Sequence, residues 1–404
     1  MSEPLVVVGN GMAAARLIEE LGERVLGRYA VAVIGEEPRL AYNRVLLSAV
    51  LARDAAPSDI EIKPANWWRD RGVTLVYGQR AVRIDRDIRR VRLESGATLP
   101  YSRLVLATGS RPVRLSTPGM DLRGVLTFRD LGDVAAIEKE AAVGRKVVVI
   151  GGGLLGLEAA SGLAKIGAAV TVVHLMDRLM ERQLDQRAAA MLKQAVEARG
   201  IAVRLLAQTA RIRGRSRVEG VEFADGTVME ADAVVVAAGI VPNVALAREA
   251  GIAVNRGILV DDGLGTNVSG IYAIGECAEH RGQCYGLVEP AYEQARVLAD
   301  RLSGGCAQYT GSVLATNLKV SGVNVFSVGD FLGADGTESI MLADPGLGTY
   351  KKLVVREGRI VGAALFGDTA DGLWYLDLIR SGTTIDSFRD DLVFGRAFAA
   401  REAA

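Results

Sequence analysis

The hydrophobic positions near the N-terminus form a continuous run rather than an alternating one. Residues 5–8 are Leu-Val-Val-Val, which is typical of a strand buried on both faces of a parallel sheet. Gly9, Gly11 and Ala14 follow in a G-x-G-x-x-A arrangement, and apolar residues then recur at helical spacing over 14–21. The pattern predicts a strand, a glycine turn and a helix.

This strand, turn and helix predict a dinucleotide-binding motif. The first glycine permits the tight turn, the second lets the backbone approach the phosphates, and the small Ala14 lets the helix pack on the strand. The helix N-terminus offers N–H groups to the pyrophosphate. An ordinary glycine turn is the alternative, but Glu36 follows a second predicted strand at 31–34. A carboxylate there accepts hydrogen bonds from ribose hydroxyls.

The same pattern recurs in the middle of the chain. Residues 146–150 are mostly apolar, and Gly151, Gly153 and Gly156 complete a G-x-G-x-x-G motif before a helix and a further strand at 170–173. Each motif is followed later by an apolar strand that ends in a small residue and a glycine, Thr108-Gly109 and Ala238-Gly239 respectively. This internal repeat predicts two dinucleotide-binding domains.

The remaining segments predict a linker, further elements and a C-terminal region with a different hydrophobic pattern. Residues 121–129 are expected to form a linker, 271–277 a buried strand with an acid near its end, and 289–302 a helix. From Gly311 onward the pattern alternates as in antiparallel strands. The strands are expected over 317–330, 339–342, 351–356 and 359–365, and helices over 372–380 and 390–399. This predicts a third, α+β domain.

Composition and charge fit a globular protein of several domains. The chain has 404 residues, of which 50% are hydrophobic and 24% charged, too many for one core. The 48 basic and 48 acidic residues balance, so no general attraction to nucleic acid or to an anionic membrane is expected. No targeting segment opens the sequence, and the least charged stretch, 147–164, contains three consecutive glycines and Glu158. We therefore expect a cytoplasmic protein without a membrane span.

The cysteines and histidines do not suggest a metal site. Cys277, Cys284 and Cys306 form no C-x-x-C pair, and the chain has only two histidines. This pattern indicates neither a disulfide framework nor a zinc or iron–sulfur site. The cysteines are interpreted as small structural residues.

Several motifs carry a resemblance to a known family. They read Val-Gly-Asn-Gly-Met at 8–12, Gly-Glu-Glu-Pro at 35–38, Tyr-Asn-Arg-Val at 42–45, His-Leu-Met at 174–176, Met-Glu-Arg-Gln-Leu-Asp at 180–185, Ala-Ile-Gly-Glu-Cys-Ala-Glu-His-Arg-Gly at 273–282 and Leu-Lys-Val-Ser-Gly at 318–322. The whole chain resembles the pyridine nucleotide–disulfide reductase and ferredoxin reductase superfamily of flavoproteins. It is most similar to the flavin module of assimilatory nitrite reductase large subunits and nitrate reductase electron-transfer subunits.

The resemblance implies an α/β, glutathione-reductase-like fold with two Rossmann-like domains and a C-terminal α+β domain. A discontinuous FAD-binding domain would comprise residues 1–115 and 242–310. An NAD(P)H-binding domain would span 116–241. Residues 311–404 would form the α+β domain. In the family this domain often makes a dimer interface, so the resemblance is compatible with a homodimer.

The resemblance also implies a set of FAD contacts. They are Gly9, Gly11, Met12, Ala13, Ala14, Glu36, Arg44, Ser48, Val82, Ala107, Thr108, Gly109, Gly275, Glu276 and Glu289. Glu276 stands where the family's acid binds the ribityl hydroxyls, although a loop acid or helix cap is the alternative. Arg44 and Ser48 would lie near the flavin and its phosphates, or else be a solvated cation and a helix cap. Glu289 and the helix N-terminus would face the pyrimidine end of the ring, where a helix dipole stabilises a reduced, anionic flavin.

The implied NAD(P)H contacts are Gly151, Gly153, Leu154, Leu155, Gly156, Glu158, His174 and Gly239. Glu158 would point toward the nicotinamide, although an acid at a helix terminus is also favoured by the dipole. It is the one catalytic candidate. His174 follows the second strand, where an acid favours NADH and a cation NADPH. The family implies NADH, whereas Arg178 and Arg182 leave NADPH open.

Two departures from the family narrow the expected function. No cysteine occurs in residues 40–48, so thiol chemistry beside the flavin is not expected. The printed sequence ends at Ala404, without the cysteine-rich domains of nitrite reductases, so electrons are expected to leave to a separate iron–sulfur or haem protein. The predicted protein passes electrons from NADH through FAD in nitrate or nitrite assimilation. The alternatives are a ferredoxin or rubredoxin reductase for an oxygenase, and a non-enzymatic flavin-binding redox sensor.

Overall fold

The chain folds into two compact units in the computed structural model, which describes residues 2–24, 27–141, 143–320 and 322–399. The first unit comprises residues 1–50, 55–113 and 240–312, and the second residues 51–54, 114–239 and 313–404. The second unit thus contains most of the predicted NAD(P)H-binding region together with the C-terminal region. The division of this unit into two separate domains stays a prediction.

In the described part of the chain the strands are β1 (Glu3–Val8), β2 (Tyr29–Gly35), β3 (Thr74–Tyr77), β4 (Ala81–Asp85), β5 (Arg90–Leu93), β6 (Thr98–Pro100), β7 (Arg103–Leu106), β8 (Ser110–Pro112), β9 (Val125–Thr127), β10 (Lys146–Ile150), β11 (Ala169–Val173), β12 (Ala202–Arg204), β13 (Thr209–Arg213), β14 (Gly220–Phe223), β15 (Val228–Glu230), β16 (Ala233–Val236), β17 (Ile240–Pro242), β18 (Ile258–Val260), β19 (Ile271–Ala273), β20 (Ala278–His280), β21 (Ala315–Val320), β22 (Val323–Gly329), β23 (Glu338–Asp344), β24 (Thr349–Arg356) and β25 (Arg359–Phe366). The α-helices are α1 (Met12–Arg24), α2 (Leu47–Leu51), α3 (Ala65–Asp70), α4 (Leu131–Glu140), α5 (Leu154–Lys165), α6 (Gln186–Glu197), α7 (Ala245–Glu249), α8 (Val288–Leu302), α9 (Gly372–Ser381) and α10 (Arg396–Ala399). None of the helices within the described ranges is long and apolar enough to cross a membrane.

A parallel sheet in the order β19-β7-β1-β2-β3 forms the centre of the first unit. Both faces of β1 are covered, because Leu5 and Val7 belong to one buried cluster while Val6 and Val8 belong to another. The first cluster includes the apolar faces of α1 and α8. Burial on both sides explains why the sequence of β1 is a continuous apolar run.

The second unit repeats this arrangement. Its parallel sheet has the order β12-β11-β10-β16-β9, and β10 lies between β11 and β16 as β1 lies between β2 and β7. Ile150 pairs with Val173 and Val236, just as Val8 pairs with Ile34 and Leu106. The predicted internal repeat is therefore present with the same register in both copies.

Three sequence-based expectations about elements are wrong. Residues 121–129 are not only a linker, since they contain β9, a three-residue edge strand beside β16. The strand predicted over 271–277 ends at Ala273, because Gly275 has a φ of 79° and begins a 3-10 turn. The helix predicted over 390–399 is interrupted by Gly395, whose φ of 101° separates a 3-10 turn from α10.

The C-terminal part of the second unit is an antiparallel sheet in the order β21-β22-β25-β24-β23. Phe326, Leu353 and Leu365 of this sheet pack with Tyr375 of α9 in a single buried cluster. The alternation predicted antiparallel strands in this region, but the segment 317–330, expected as one strand, contains parts of two, β21 and β22. Ser321, inside the motif at 318–322, lies outside the described residues.

Candidate functional site

The first glycine turn joins β1 to α1. Gly9 has a φ of 115°, and a Cβ there would lie 2.0 Å from the carbonyl oxygen of Ala107, so only glycine fits. A Cβ on Gly11 would meet no described atom within 4 Å beyond its own chain neighbours. Gly9 therefore serves the fold, whereas the space beside Gly11 is left open where a Rossmann-type domain places its pyrophosphate.

The second glycine turn, between β10 and α5, has the same construction. Gly151 has a φ of 126°, and its Cβ would lie 2.3 Å from the carbonyl oxygen of Ala237. A Cβ on Gly156 would lie 1.9 Å from the carbonyl oxygen of Gly151, so this glycine permits the close packing of helix on turn. Gly153, like Gly11, has open space beside it within the described structure. Leu154 and Leu155 then begin the helix.

Both open glycines lie at carboxyl ends of parallel strands, which is where ligands bind in open α/β sheets. Glu36 directly follows β2, and its side chain is exposed beside Arg80 at 3.9 Å. Gly239 has a φ of 114° and follows β16 at the corresponding edge of the second sheet. Each half of the repeat thus has an open glycine at the carboxyl edge of its parallel sheet.

Glu276 is brought to the residues that follow β7. The hydroxyl of Ser110 donates to Oε2 of Glu276 at 2.7 Å, and the Cβ position of Gly109 lies 3.8 Å from the same oxygen. The amide of Gly275 donates to Oε1 of the buried Gln294 at 2.7 Å. These contacts fix the 3-10 turn and hold the Glu276 carboxylate beside the Thr108-Gly109 corner.

Asn243 closes the same corner from another segment. Its backbone carbonyl accepts from the Thr108 hydroxyl at 2.8 Å, and its side-chain amide donates to the Thr108 carbonyl at 2.9 Å. Sequence reasoning missed Ser110, Asn243 and Gln294. One sequence signal could have pointed to this region: both repeats contain a strand that ends in a small residue and a glycine, with a proline three residues later, at 108–112 and at 238–242.

Arg44 is positioned by an acid that sequence reasoning also missed. Its guanidinium pairs with the carboxylate of Glu37 and lies 5.0 Å from the ring centroid of Tyr42. Asn43 caps the 3-10 turn that contains Arg44 by accepting from the amide of Val45 at 3.0 Å. Ser48 is half-buried on α2.

The remaining first-unit candidates lie on two other elements. Val82 is exposed on β4, which belongs to the small antiparallel sheet β4-β5-β6. Glu289 is in the first turn of α8, where its carboxylate pairs with Arg296 at 3.4 Å. An acid in a first turn is favoured by the helix dipole.

Glu158 is a buried carboxyl group on α5. The residue is 9% exposed, and burial raises the pKa of its carboxyl group to about 7. No hydrogen bond or ion pair reaches it from the described residues, so nothing there offsets the loss of hydration. It can therefore exchange a proton near neutral pH.

His174 follows β11 and connects two parts of the second site. Its Nδ1 accepts from the backbone N–H of Gly152 at 3.0 Å, and its Nε2 lies 3.0 Å from Oε2 of Glu181.

The three cysteines are free thiols, and burial raises the pKa of the Cys277 thiol. Residues 40–48 contain no cysteine.

Comparison with known proteins identifies the family of this chain. The family described as pyridine nucleotide-disulphide oxidoreductase matches residues 3–297, and the rubredoxin NAD+ reductase C-terminal domain matches 315–383. A nitrite reductase [NAD(P)H] of Bacillus subtilis is 46% identical over 94% of this chain and 48% of its own length. An assimilatory nitrate reductase electron transfer subunit of the same organism is 42% identical over 96% and 51%.

Among solved structures, a ferredoxin reductase from Rhodopseudomonas palustris superposes with a TM-score of 0.89 at 27% identity, covering 100% of both chains. The predicted α/β fold class and the predicted resemblance are confirmed. Flavin and nicotinamide cofactors are supported as classes. The chain spans about half the length of the two curated relatives from B. subtilis.

Proposed function

Because this chain belongs to the pyridine nucleotide-disulphide oxidoreductase family, we propose that it takes a hydride from NADH onto FAD and delivers electrons to a separate redox protein. The observation that carries this proposal is the pair of glycine turns with open space beside Gly11 and Gly153. Each follows a parallel strand and precedes a helix, as a pyrophosphate site requires. One such turn serves each of two dinucleotides.

The first unit has donors and acceptors suited to FAD. The backbone at Gly11 and the start of α1 would hold the pyrophosphate, and Glu36 would accept from the adenosine ribose. Glu276, held by Ser110 at 2.7 Å, would accept from the ribityl hydroxyls. Bound flavin supplies both two-electron and one-electron chemistry.

The second unit has the features expected for the nicotinamide nucleotide. Gly153 and the start of α5 would bind its pyrophosphate, and Glu158 would lie among the residues that contact the nicotinamide. With a pKa near 7, Glu158 would be partly protonated at neutral pH and would add little fixed negative charge beside the transferred hydride. We assign it no obligatory proton transfer.

Thiol chemistry is not part of the proposal. A redox-active cysteine needs an accessible thiolate, whereas Cys277 is buried in the first unit and its thiol pKa is raised. The segment that carries the cysteine in disulfide-reducing relatives, residues 40–48, has none. The flavin is therefore the proposed redox centre. The free thiols suit a reducing cytoplasm.

Nitrate or nitrite assimilation is the favoured setting, with an iron–sulfur or haem protein as acceptor. It is supported by 46% and 42% identity to a nitrite reductase and to a nitrate reductase electron transfer subunit. A ferredoxin or rubredoxin reductase is the second candidate. It is favoured by the match of residues 315–383 to a rubredoxin reductase domain and by the full-length superposition on a ferredoxin reductase.

The first test is reduction of the bound flavin. We expect anaerobic addition of NADH to bleach the visible flavin absorbance of the purified protein. Steady NADH consumption with ferricyanide would then distinguish an enzyme from a redox sensor, and turnover with ferredoxin, rubredoxin or a nitrate reductase would rank the acceptors. Failure of both NADH and NADPH to bleach the flavin would disprove the proposed function.

A further inference from the structure

The ring of His174 is fully engaged by the protein. In a Rossmann-type domain the residue after the second strand reads the adenosine ribose, and His174 occupies that place after β11. Its Nδ1 accepts from the Gly152 amide at 3.0 Å, so this nitrogen carries no proton. Nε2 then carries the proton and donates to Glu181 at 3.0 Å. His174 is thus held between Gly152 and Glu181 and supports the Glu181 carboxylate.

Glu181 is fixed beside the glycine turn from both directions. The backbone N–H of Met180 donates to the carbonyl of Gly152 at 3.0 Å, and the N–H of Leu184 donates to the carbonyl of Met180 at 2.8 Å. The side chains of Leu179, Met180 and Leu184 are fully buried. Because its neighbours are packed and its Oε2 is bound by His174, Glu181 has little freedom to move away.

The carboxylate nevertheless remains accessible. The Glu181 side chain is 22% exposed, and its Oε1 lies 3.8 Å from Nε of Arg182. Arg182 is 87% exposed, so its charge is screened by solvent. Arg178 is held away by Asp177 at 3.0 Å and by the carbonyl of Leu184 at 3.4 Å. The fixed charge at this edge is therefore negative.

Apolar surface continues the same edge. Leu175 and Met176 follow His174 and are both exposed, and Leu206, also exposed, donates its amide to the Met176 carbonyl at 3.1 Å. Exposed apolar side chains suit the faces of an adenine ring better than they suit water. The edge thus offers apolar surface for adenine and a carboxylate for the ribose.

We propose that Glu181, positioned by His174, selects NADH over NADPH by accepting a hydrogen bond from the ribose 2′-hydroxyl and repelling a 2′-phosphate. The proposal rests on the proposed function, which makes a nicotinamide nucleotide the electron donor. In this chain the acid that discriminates the two nucleotides would lie in the loop before α6, whereas a Rossmann-type domain usually has it directly after the second strand. The two arginines in this loop do not reverse the preference, since one is engaged and the other is solvated.

Binding of nucleotide fragments provides the direct test. ADP-ribose and 2′-phospho-ADP-ribose differ only at the 2′ position, and their dissociation constants can be measured by calorimetry on the holoprotein. We expect wild type to prefer ADP-ribose by on the order of a hundredfold, since juxtaposed like charges oppose binding strongly. Glu181→Gln should reduce the preference to below about tenfold, and Glu181→Arg should reverse it.

Two further variants separate positioning from general effects. His174→Phe removes both hydrogen bonds of the ring, and we expect the ratio of the two dissociation constants to fall toward that of Glu181→Gln. A purely structural role would weaken both ligands equally and leave the ratio unchanged. Glu197→Gln is the matched control, because it removes the same charge from an exposed site on α6 paired with Lys193; its ratio should equal that of wild type.

The results distinguish this inference from the proposed function. If NADH bleaches the flavin but Glu181→Gln and Glu181→Arg keep the wild-type ratio, Glu181 does not select the nucleotide and the oxidoreductase proposal stands. If wild type binds ADP-ribose and 2′-phospho-ADP-ribose equally well, the inference about Glu181 also fails and the oxidoreductase proposal stands. If the flavin is bleached by neither nucleotide and neither fragment binds to wild type, the proposed function itself fails.

Discussion

At the scale of single residues, Glu158 combines deep burial with an ionisable group. Burial raises the pKa of its carboxyl group to about 7, from an ordinary value of 4.5. The folded protein therefore retains a proton that the unfolded chain releases between these pH values. Its stability falls as pH rises across this window, and the loss persists above the folded pKa.

We predict that Glu158→Gln removes this pH dependence. The free energy of unfolding of the variant minus that of wild type should increase by about 2 kcal/mol from pH 5 to pH 8, because one pKa unit corresponds to about 1.36 kcal/mol. Denaturation of the holoprotein at both pH values measures the difference. Glu197→Gln serves as the exposed control, and an identical pH dependence in wild type and Glu158→Gln would refute the prediction.

Residue-level prediction from the sequence succeeded where a local motif determines the geometry. Gly9 and Gly151 have positive φ angles and close contacts, as their spacing in the motif predicted. Ser110 and Gln294 escaped notice because their partners are distant in sequence: Ser110 and Glu276 are 166 positions apart. The contact between His174 and Glu181 was missed for another reason, since their seven-residue separation spans an irregular loop without a period.

At the scale of elements, the turn between β1 and α1 separates two uses of glycine. Gly9 is needed for the fold, because its Cβ would lie 2.0 Å from a carbonyl oxygen. Gly11 has open space beside it within the described structure. The two glycines of one motif should therefore fail in different ways when substituted.

We predict that Gly9→Ala destabilises the protein by several kcal/mol or prevents its folding, because a clash adds to an unfavourable φ. Gly11→Ala should instead keep the thermal midpoint of the flavin-free protein and reduce its affinity for FAD, by about tenfold or more. Thermal denaturation and flavin titration measure the two effects. Full flavin affinity in Gly11→Ala would contradict a pyrophosphate site beside this residue.

The hydrophobic pattern was sufficient for the long strands and insufficient for short ones. Strands β1 and β10 are buried on both faces, so their apolar runs are unambiguous. Strand β9 has three half-buried residues, too few to show a period. Gly275 and Gly395 ended elements earlier than the pattern indicated, because a positive φ interrupts a strand or helix that the side chains would allow.

At the scale of the whole molecule, Asp185 joins the C-terminal sheet to α6 within the second unit. Its Oδ1 caps α6 by accepting from the Ala188 amide at 3.0 Å, and its Oδ2 accepts from the Tyr350 hydroxyl at 2.6 Å. Lys352 lies 3.8 Å from the same oxygen. One carboxylate thus stabilises a helix N-terminus and binds a strand from another part of the chain.

We predict that Tyr350→Phe destabilises the second unit by about 1.5–3 kcal/mol, since the hydrogen bond is made to a charged group. Burial also raises the pKa of the Tyr350 hydroxyl, so the effect should be constant through the neutral range. Thermal denaturation measures it, and Tyr77→Phe at an exposed position should have no effect. Equal midpoints for the two variants would show that the bond contributes nothing.

The domain organisation was the most difficult feature to predict at this scale. The sequence divides naturally at changes of periodicity, which placed a boundary near residue 311. Contacts group residues 114–239 and 313–404 in one compact unit, and the division of this unit at residue 311 stays a prediction. The hydrogen bond between Tyr350 and Asp185 spans 165 positions and leaves no local trace in either pattern. A homodimer through the C-terminal region stays a prediction.

The double use of Asp185 also limits how freely this protein can be recombined with its relatives. Its neighbour in space, Tyr350, lies in a segment that gene fusion or domain exchange would supply from another parent. A graft of residues 313–404 that brings phenylalanine or a bulky aliphatic residue to this strand position would keep the cap of α6 but remove the hydroxyl that donates to Oδ2 of Asp185. Stable hybrids should therefore contain both the aspartate at 185 and the tyrosine at 350, although these positions are far apart in the sequence.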